Sequence, residues 1–453
     1  MPHHGALLTD LYELTMAAGY QRFKPETQGT FELFVRALPK QRGYLVLAGI
    51  EQALDYITSF RFKPEELDYL RQQPIFSRVE PEFFDYLAEM RFTGDVWAMQ
   101  EGTIFFPGEP VLQVQAPLAE AQILETYLLS MITFQSMVAT KASRVVMAAR
   151  KRPVVDFGSR RAHGPEAALL AARASYIGGV QATSNVLAGK TFEMPITGTC
   201  AHSWVQSFDT EEEAFRAFND VFPDHSILLI DTYDTLEGAR LAIRTGKNVK
   251  GVRIDSGDLS RLAKKVRQIL DSEGRPDIQI VASSDLDEYK IDDMVREGAP
   301  IDMFGVGTEM VTSADAPSLG AVYKLVQTES AEGVRLKIKL SRNKVTYPGR
   351  KQVVRRYGTS GTLYQDVIGC AEEAPGRDGR ALLEKVVENG ELTRPHPELS
   401  AVRSYADKEI ATVPDRLRKL RGSQEYQVVY SALLEQRLRE ERRRSHHERD
   451  PQD

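Results

Sequence analysis

The chain has 453 residues, 42% apolar and 27% charged, the proportions of an ordinary soluble globular protein with room for two or three domains. A net charge of −6 argues against a nucleic-acid platform, and two cysteines, Cys200 and Cys370, exclude a disulfide framework and a four-cysteine zinc site and suit a reducing cytosol. The first five residues lack the basic and then apolar pattern of a signal peptide, and the long uncharged runs 126–140 and 174–189 are interrupted by polar residues, short of the roughly 20 apolar residues of a membrane span, so a cytoplasmic protein without a membrane partner is expected.

In chain order, 7–20 reads as a helix starting near Thr9 or Asp10, and 30–38 alternates like a strand. Helical spacing runs through 45–60. Pro64 and Pro81 open two further helices, 64–73 and 81–90, at a first-turn position that tolerates proline. Residues 92–115, rich in Val, Phe and Trp and punctuated by Gly94, Gly102, Pro107 and Gly108, read as three short antiparallel strands. A long helical pattern covers 118–150, with one break expected near Thr133.

From Arg152 the pattern becomes strand, polar turn, helix, repeated. Strands are expected at 154–157, near Val180, and at 195–199, 227–231, 249–254, 278–282 and 301–306. Helices are expected from Pro165, around Asn185, and at 211–222, 235–244, 258–271 and 288–297. The strands are nearly all apolar, which implies a parallel sheet covered on both faces, open or closed into a barrel. After Lys324, 335–341 and 352–357 alternate like exposed antiparallel strands, with Pro348–Gly349 as a turn, and from Glu435 the chain reads as a charge-balanced helical tail fraying into disorder, its 442–444 arginine run solvated.

The residues just past parallel strands are where such folds keep their chemistry. The end of the first strand carries Arg160 and Arg161, suited to an anionic substrate or simply a surface pair. Thr199, His202 and Ser203 follow the third; His202 alone could be a satisfied turn histidine. Asp231, Tyr233 and Asp234 follow the fourth. Arg253–Ile254–Asp255–Ser256–Gly257–Asp258 is the richest: Asp258 can cap the following helix, but Arg253 lies inside an apolar strand, and its planar fork fits a carboxylate or phosphate. Gly305–Val306–Gly307–Thr308 lets backbone N–H groups approach phosphate, or forms a tight turn. Together these ends suggest a sugar phosphate or a nucleotide precursor as substrate.

The segments LLTDLYELTMAAGY at 7–20, DFGSRRAHG at 156–164, GTCAHSWV at 198–205, VRIDSGDL at 252–259 and GVGTEMVTSADAPSLGAVYKLV at 305–326 resemble the nicotinate phosphoribosyltransferases, in the same order along the chain. The resemblance implies an irregular parallel α/β barrel of the type II phosphoribosyltransferase kind at 151–326. It implies an additional α/β domain built from 1–150 and from a C-terminal segment, 327–453, that returns to it. It further implies a homodimer with composite sites. The family couples nicotinate to 5-phosphoribosyl 1-diphosphate, giving nicotinate mononucleotide and diphosphate for NAD biosynthesis, with ATP as co-substrate, Mg2+, and a phosphohistidine that would be His202. The resemblance places Tyr12, Thr199 and Arg253 around nicotinate, and Thr308 with Gly305 and Gly307 at the phosphate. Arg161, Ser203, Ser256 and Gly257 are candidate substrate contacts, and Asp255 and Asp258 candidates for the Mg2+-diphosphate. A cysteine zinc site found in some relatives cannot form here.

The nearest rival is a nicotinamide phosphoribosyltransferase, which Arg253 alone does not exclude. A barrel aldolase or isomerase would need a lysine or base at a strand end, and no strand ends in a lysine nucleophile. A non-enzymatic binding protein would explain the phosphate loop but not polar residues on so many strand ends.

Overall fold

The computed structural model describes residues 5–340, 345–373 and 379–447, with side chains to residue 445. The protein is α/β and forms two compact units. The first draws on the described residues within Met1–Ser136, Ser318–Glu398 and Lys408–Asp453; the second on Met137–Pro317 and Leu399–Asp407. Among the described residues no helix is long and apolar enough to cross a membrane.

The first unit holds a seven-stranded antiparallel sheet in the order Gly333–Leu336, Ala321–Ser330, Gln28–Val35, Pro110–Pro117, Asp95–Met99, Leu383–Glu388 and Glu391–Leu392. Its long Ala321–Ser330 strand was not among the expected elements. Residues 45–60 are not one helix. Leu45–Val46 pairs with Ile104–Phe105, and the helix begins at Ile50 after Gly49, whose φ of 96° breaks the regular backbone. A Cβ at Gly49 would come within 2.7 Å of the Met131 carbonyl, so glycine is needed there. The long helix also breaks earlier than expected, between Leu118–Gln122 and Glu125–Ala149, with no break at Thr133. The Glu13 carboxylate fixes that point by accepting the Thr126 N–H at 3.1 Å and its hydroxyl at 2.5 Å.

Lys351–Tyr357 does not form an exposed hairpin across Pro348–Gly349. It pairs with Leu363–Cys370 and Gly379–Ala381, and its alternate residues Lys351, Val353 and Arg355 are buried. The expected strand end at Ser341 and the tail beyond His447 lie outside the described residues, as do Met1–His4. The tail helix itself spans Ala432–His447.

The second unit is built on a curled parallel sheet, a half-barrel, in the order Ala182–Thr183, Val154–Asp156, Met303–Val306, Gln279–Ser284, Gly251–Ile254 and Ile227–Leu229. The segment expected as a strand at 195–199 joins the outer edge by a single parallel bridge, Thr183 to Ile196, and the Cys200 thiol is hydrogen-bonded by the backbone of Leu229 on the opposite edge strand. The crossover helices follow each strand; Asp258 caps its helix as expected, and Asn185 and Asp234 likewise accept backbone N–H groups of the helices they open. His202 lies not in a loop but at the first position of a short helix, His202–Gln206.

Arg355, in the first unit, is fully buried. It meets Asp366 with Nη2 at 2.6 Å and Nε at 3.1 Å, and Glu409 with Nη1 at 3.2 Å. Glu109 lies beside them, and burial together with the neighbouring Asp366 raises its carboxyl well above the usual range. The folded state therefore keeps a proton that the unfolded chain releases near its ordinary value of 4.5, so this contribution is complete at acid pH and declines as pH rises towards the raised value. Glu109→Gln, neutral throughout, should remove that decline: from about pH 5 to about pH 9 the melting temperature of the wild type should fall relative to the variant's. Parallel melting curves across that range would refute it.

Candidate active site

Register assembles the mouth of the parallel sheet. Leu229 pairs with Arg253, Arg253 with Val281, Ser283 with Gly305, and Gly305 with Val155. Side chains alternate faces along a strand, so Asp231, Arg253, Asp255, Ser283, Gly305 and Phe157 share or continue one face.

Arg253 is the centre of that face, its side chain 11% exposed. Nε donates to Ser283 Oγ at 2.8 Å, and Nη1 donates to Thr199 Oγ1 at 2.5 Å and to the Cys200 carbonyl at 3.3 Å. Nη2 lies 3.1 Å from Asp255 Oδ1. The guanidinium carbon sits 5.6 Å from the centre of the Phe157 ring, within cation–π range. The ring can lie there because residue 305 is glycine: a Cβ would come within 2.5 Å of it.

Asp255 is held from two sides. Its Oδ1 accepts the Ser283 hydroxyl at 2.5 Å, and its N–H donates to Asp231 Oδ2 at 3.0 Å. The Ser256 hydroxyl donates to that same Asp231 oxygen at 2.5 Å. His202 Nδ1 lies 3.2 Å from Thr232 Oγ1, and Nε2 3.9 Å from Asp255 Oδ2. Burial pushes the Cys200 thiol up, which disfavours a thiolate nucleophile beside them. The mouth thus offers a half-exposed imidazole, carboxylates and a fixed guanidinium.

Among the described residues no group of three or more His, Cys, Asp and Glu is arranged to hold a metal ion. Mg2+ commonly binds through one or two carboxylates together with substrate phosphates. Asp231 Oδ1, buried without a hydrogen-bond partner, and Asp255 fit that mode. Asp258 fits it less well, since its Oδ1 accepts the Arg261 N–H at 3.0 Å as a helix cap.

Family models match the chain in order: the nicotinate phosphoribosyltransferase N-terminal domain over residues 7–133, the nicotinate phosphoribosyltransferase family over 153–352, and the C-terminal domain over 376–438. Over 425 residues, 92% of this chain and 89% of the relative, it is 46% identical to a nicotinate phosphoribosyltransferase of Mycobacterium tuberculosis. The chain belongs to the nicotinate phosphoribosyltransferase family. It is 38% identical over 458 residues to the nicotinate phosphoribosyltransferase of Bacillus subtilis, covering 94% of this chain and 93% of that one. It also matches the crystal structure of human nicotinic acid phosphoribosyltransferase with a TM-score of 0.84 at 29% identity, over 95% of this chain and 99% of that one.

Of the residues singled out in the sequence, the fold brings Thr199, His202, Arg253, Asp255 and Ser256 into one network. Gly307 passes close to the backbone of Phe157 (a Cβ would lie 3.4 Å from its carbonyl) and precedes Thr308, the first residue of a one-turn helix. Gly257 forms a turn with φ of 80°. Arg161 is exposed on a short 3-10 turn. Ser203 is exposed, and the ring of His202 meets Thr232. Tyr12 lies in the first unit, 45% exposed on the helix Leu11–Phe23. Thr232 and Ser283 carried no sequence signal of their own, and Phe157, though inside the 156–164 motif, was not singled out, because only strand register places them beside Arg253 and His202.

Gly305→Ala should push the Phe157 ring off Arg253, lowering stability by about 1–3 kcal/mol through overpacking and turnover at least roughly tenfold through the displaced guanidinium. Thermal melting and initial rates check both; wild-type turnover would show that the ring has no part in the site.

Proposed function

We propose that the protein couples nicotinate to 5-phosphoribosyl 1-diphosphate, giving nicotinate mononucleotide and diphosphate in NAD biosynthesis, and that ATP hydrolysis drives the reaction through phosphorylated His202. The observation that carries this reading is the joining of His202, Asp255 and Arg253 at one mouth in a chain of this family. In the coupling step the pyridine nitrogen forms a bond to the anomeric carbon, and the bond to diphosphate breaks with its electron pair leaving on oxygen. Mg2+ bound with the diphosphate would neutralise that leaving charge. Asp231 and Asp255 would hold it there. Thr308 and the glycines before it are read as a phosphate contact, and Arg161 and Ser256 as further substrate contacts.

Arg253 has most of its N–H groups already engaged, so it is read as meeting the nicotinate carboxylate with the remaining Nη2 hydrogen and its charge, rather than through a free fork. Phe157 offers an aromatic face beside it. A neutral amide gains less from this fixed cation than a carboxylate does, which favours nicotinate over nicotinamide. His202 is half-exposed, as a phosphoryl acceptor must be. The reaction needs the tautomer in which Nδ1–H donates to Thr232 Oγ1, which leaves the lone pair for phosphorus on Nε2, on the side of Asp255. Attack there would release ADP, and hydrolysis of the N–P bond would regenerate the imidazole.

The chain is also read as a cytoplasmic homodimer. The helix Leu11–Phe23 and the turn before it expose Leu8, Leu11, Tyr12, Met16 and Phe23, an apolar face suited to a second copy. Tyr12 would complete the partner's nicotinate site.

Assays with nicotinate or nicotinamide, each with and without ATP, should show mononucleotide formed with strong preference for nicotinate and stimulation by ATP. Equal use of both substrates would overturn the substrate reading. His202→Asn should lose an acid-labile label from γ-labelled ATP and the stimulation, while keeping residual coupling; a label that persists would move the phosphate elsewhere. In a separate test, mixing Tyr12→Ala with an inactive Arg253 variant should restore activity through hybrid dimers. A mixture that stays inactive despite subunit exchange would rule out a composite site.

A further inference from the structure

We propose that Ser283 is a positioning residue of this site, the hydroxyl that fixes Arg253 and Asp255 in one mutual orientation; the proposal rests on reading the mouth as the nicotinate site. Ser283 is 3% exposed, on the strand Gln279–Ser284. Its Oγ accepts Arg253 Nε–H at 2.8 Å and donates to Asp255 Oδ1 at 2.5 Å. Arg253 Nη2 approaches that same carboxylate oxygen at 3.1 Å. The three side chains therefore close a ring: guanidinium to hydroxyl, hydroxyl to carboxylate, carboxylate to guanidinium.

A hydroxyl is suited to this place because it donates one hydrogen while accepting another. Without it, a buried Nε–H loses its acceptor and Asp255 loses one of the two contacts that set its rotamer. Two further features constrain the backbone around it. Ser284 has φ of 137°, a backbone region that a residue with a side chain rarely adopts and that persists where surrounding contacts impose it. Opposite, Gly305 lacks the Cβ that would come within 3.3 Å of Ser283 Cβ, a tight approach. Ser283 itself need not touch substrate, because its effect passes through Arg253 and Asp255.

The test is a double-mutant cycle. Ser283→Ala should lower kcat/KM for nicotinate by roughly ten- to a hundredfold, chiefly through KM. Lysine has no Nε–H, so in an Arg253→Lys background the same change should cost less than about threefold. An unchanged kcat/KM in the single variant, or the full loss repeated in the lysine background, overturns the proposal. Ser283→Cys, a weaker donor and acceptor of similar size, should fall between wild type and alanine, and replaces alanine in the cycle if the alanine protein melts well below the wild type. If the wild type makes no mononucleotide from nicotinate, the reading of the site fails by itself. The positioning role is then decided by a ligand-free crystal structure of Ser283→Ala. Arg253 or Asp255 turned from its present rotamer supports the role; both unmoved overturn it.

Discussion

A guanidinium planted in an apolar parallel strand must be met by acceptors along its edges, because an unpaired buried charge is among the costliest features a fold can carry. At Arg253 those acceptors come from three separate stretches of chain: Thr199 and Cys200 beyond one strand, Ser283 at the end of another, and Asp255 two residues on in its own. Satisfying this one side chain therefore fixes the relative placement of three strand ends. His202, two residues after Cys200, is carried to Asp255 by the same constraint. The site is thus a consequence of burying one cation, and its rigidity comes from the same bonds.

Each unit repeats that solution in its interior. In the second, Lys141 meets Glu288 at 2.5 Å and Asp315 at 2.8 Å, and Arg144 meets Glu288 at 2.9 Å, with Lys141, Arg144 and Glu288 almost wholly buried. Burial alone would raise the Glu288 carboxyl, but the two cations outweigh it and hold it below its ordinary value. In the first, Arg355 binds Asp366 and Glu409, and Lys351 binds Glu32 at 2.7 Å between sheet residues. Such pairs add little net stability over apolar packing, but breaking one leaves an uncompensated charge, so they penalise alternative packings strongly. The clusters join segments far apart in sequence, as the Lys351–Glu32 pair does.

In the proposed reaction the same network would divide the work. The cation that would face nicotinate is held by neutral hydroxyls and a carbonyl as well as by Asp255, so its charge is only partly cancelled. Asp255 lies beside it, and Asp231 accepts the Asp255 N–H and the Ser256 hydroxyl next to it. The imidazole is left half-exposed with one nitrogen anchored on Thr232. Preorganisation of this kind places the ordering cost in folding rather than in the reaction.

The sequence by itself determined the repeated strand–turn–helix pattern, the helix cap at Asp258, a parallel sheet covered on both faces, and Thr199, Arg253 and Asp255 at its strand ends. Those features are local, or rest on apolar runs and motifs contiguous in the chain. The tertiary structure decided what depends on pairing between distant segments. The break after Gln122 came from Glu13, and the division of 45–60 from a pairing with Ile104–Phe105. Lys351–Tyr357 found buried partners rather than an exposed hairpin. Thr232 and Ser283 entered the site for the same reason: a hydroxyl at a strand end reads like any other polar turn residue until the register of neighbouring strands sets it 3.2 Å from an imidazole or 2.8 Å from a guanidinium.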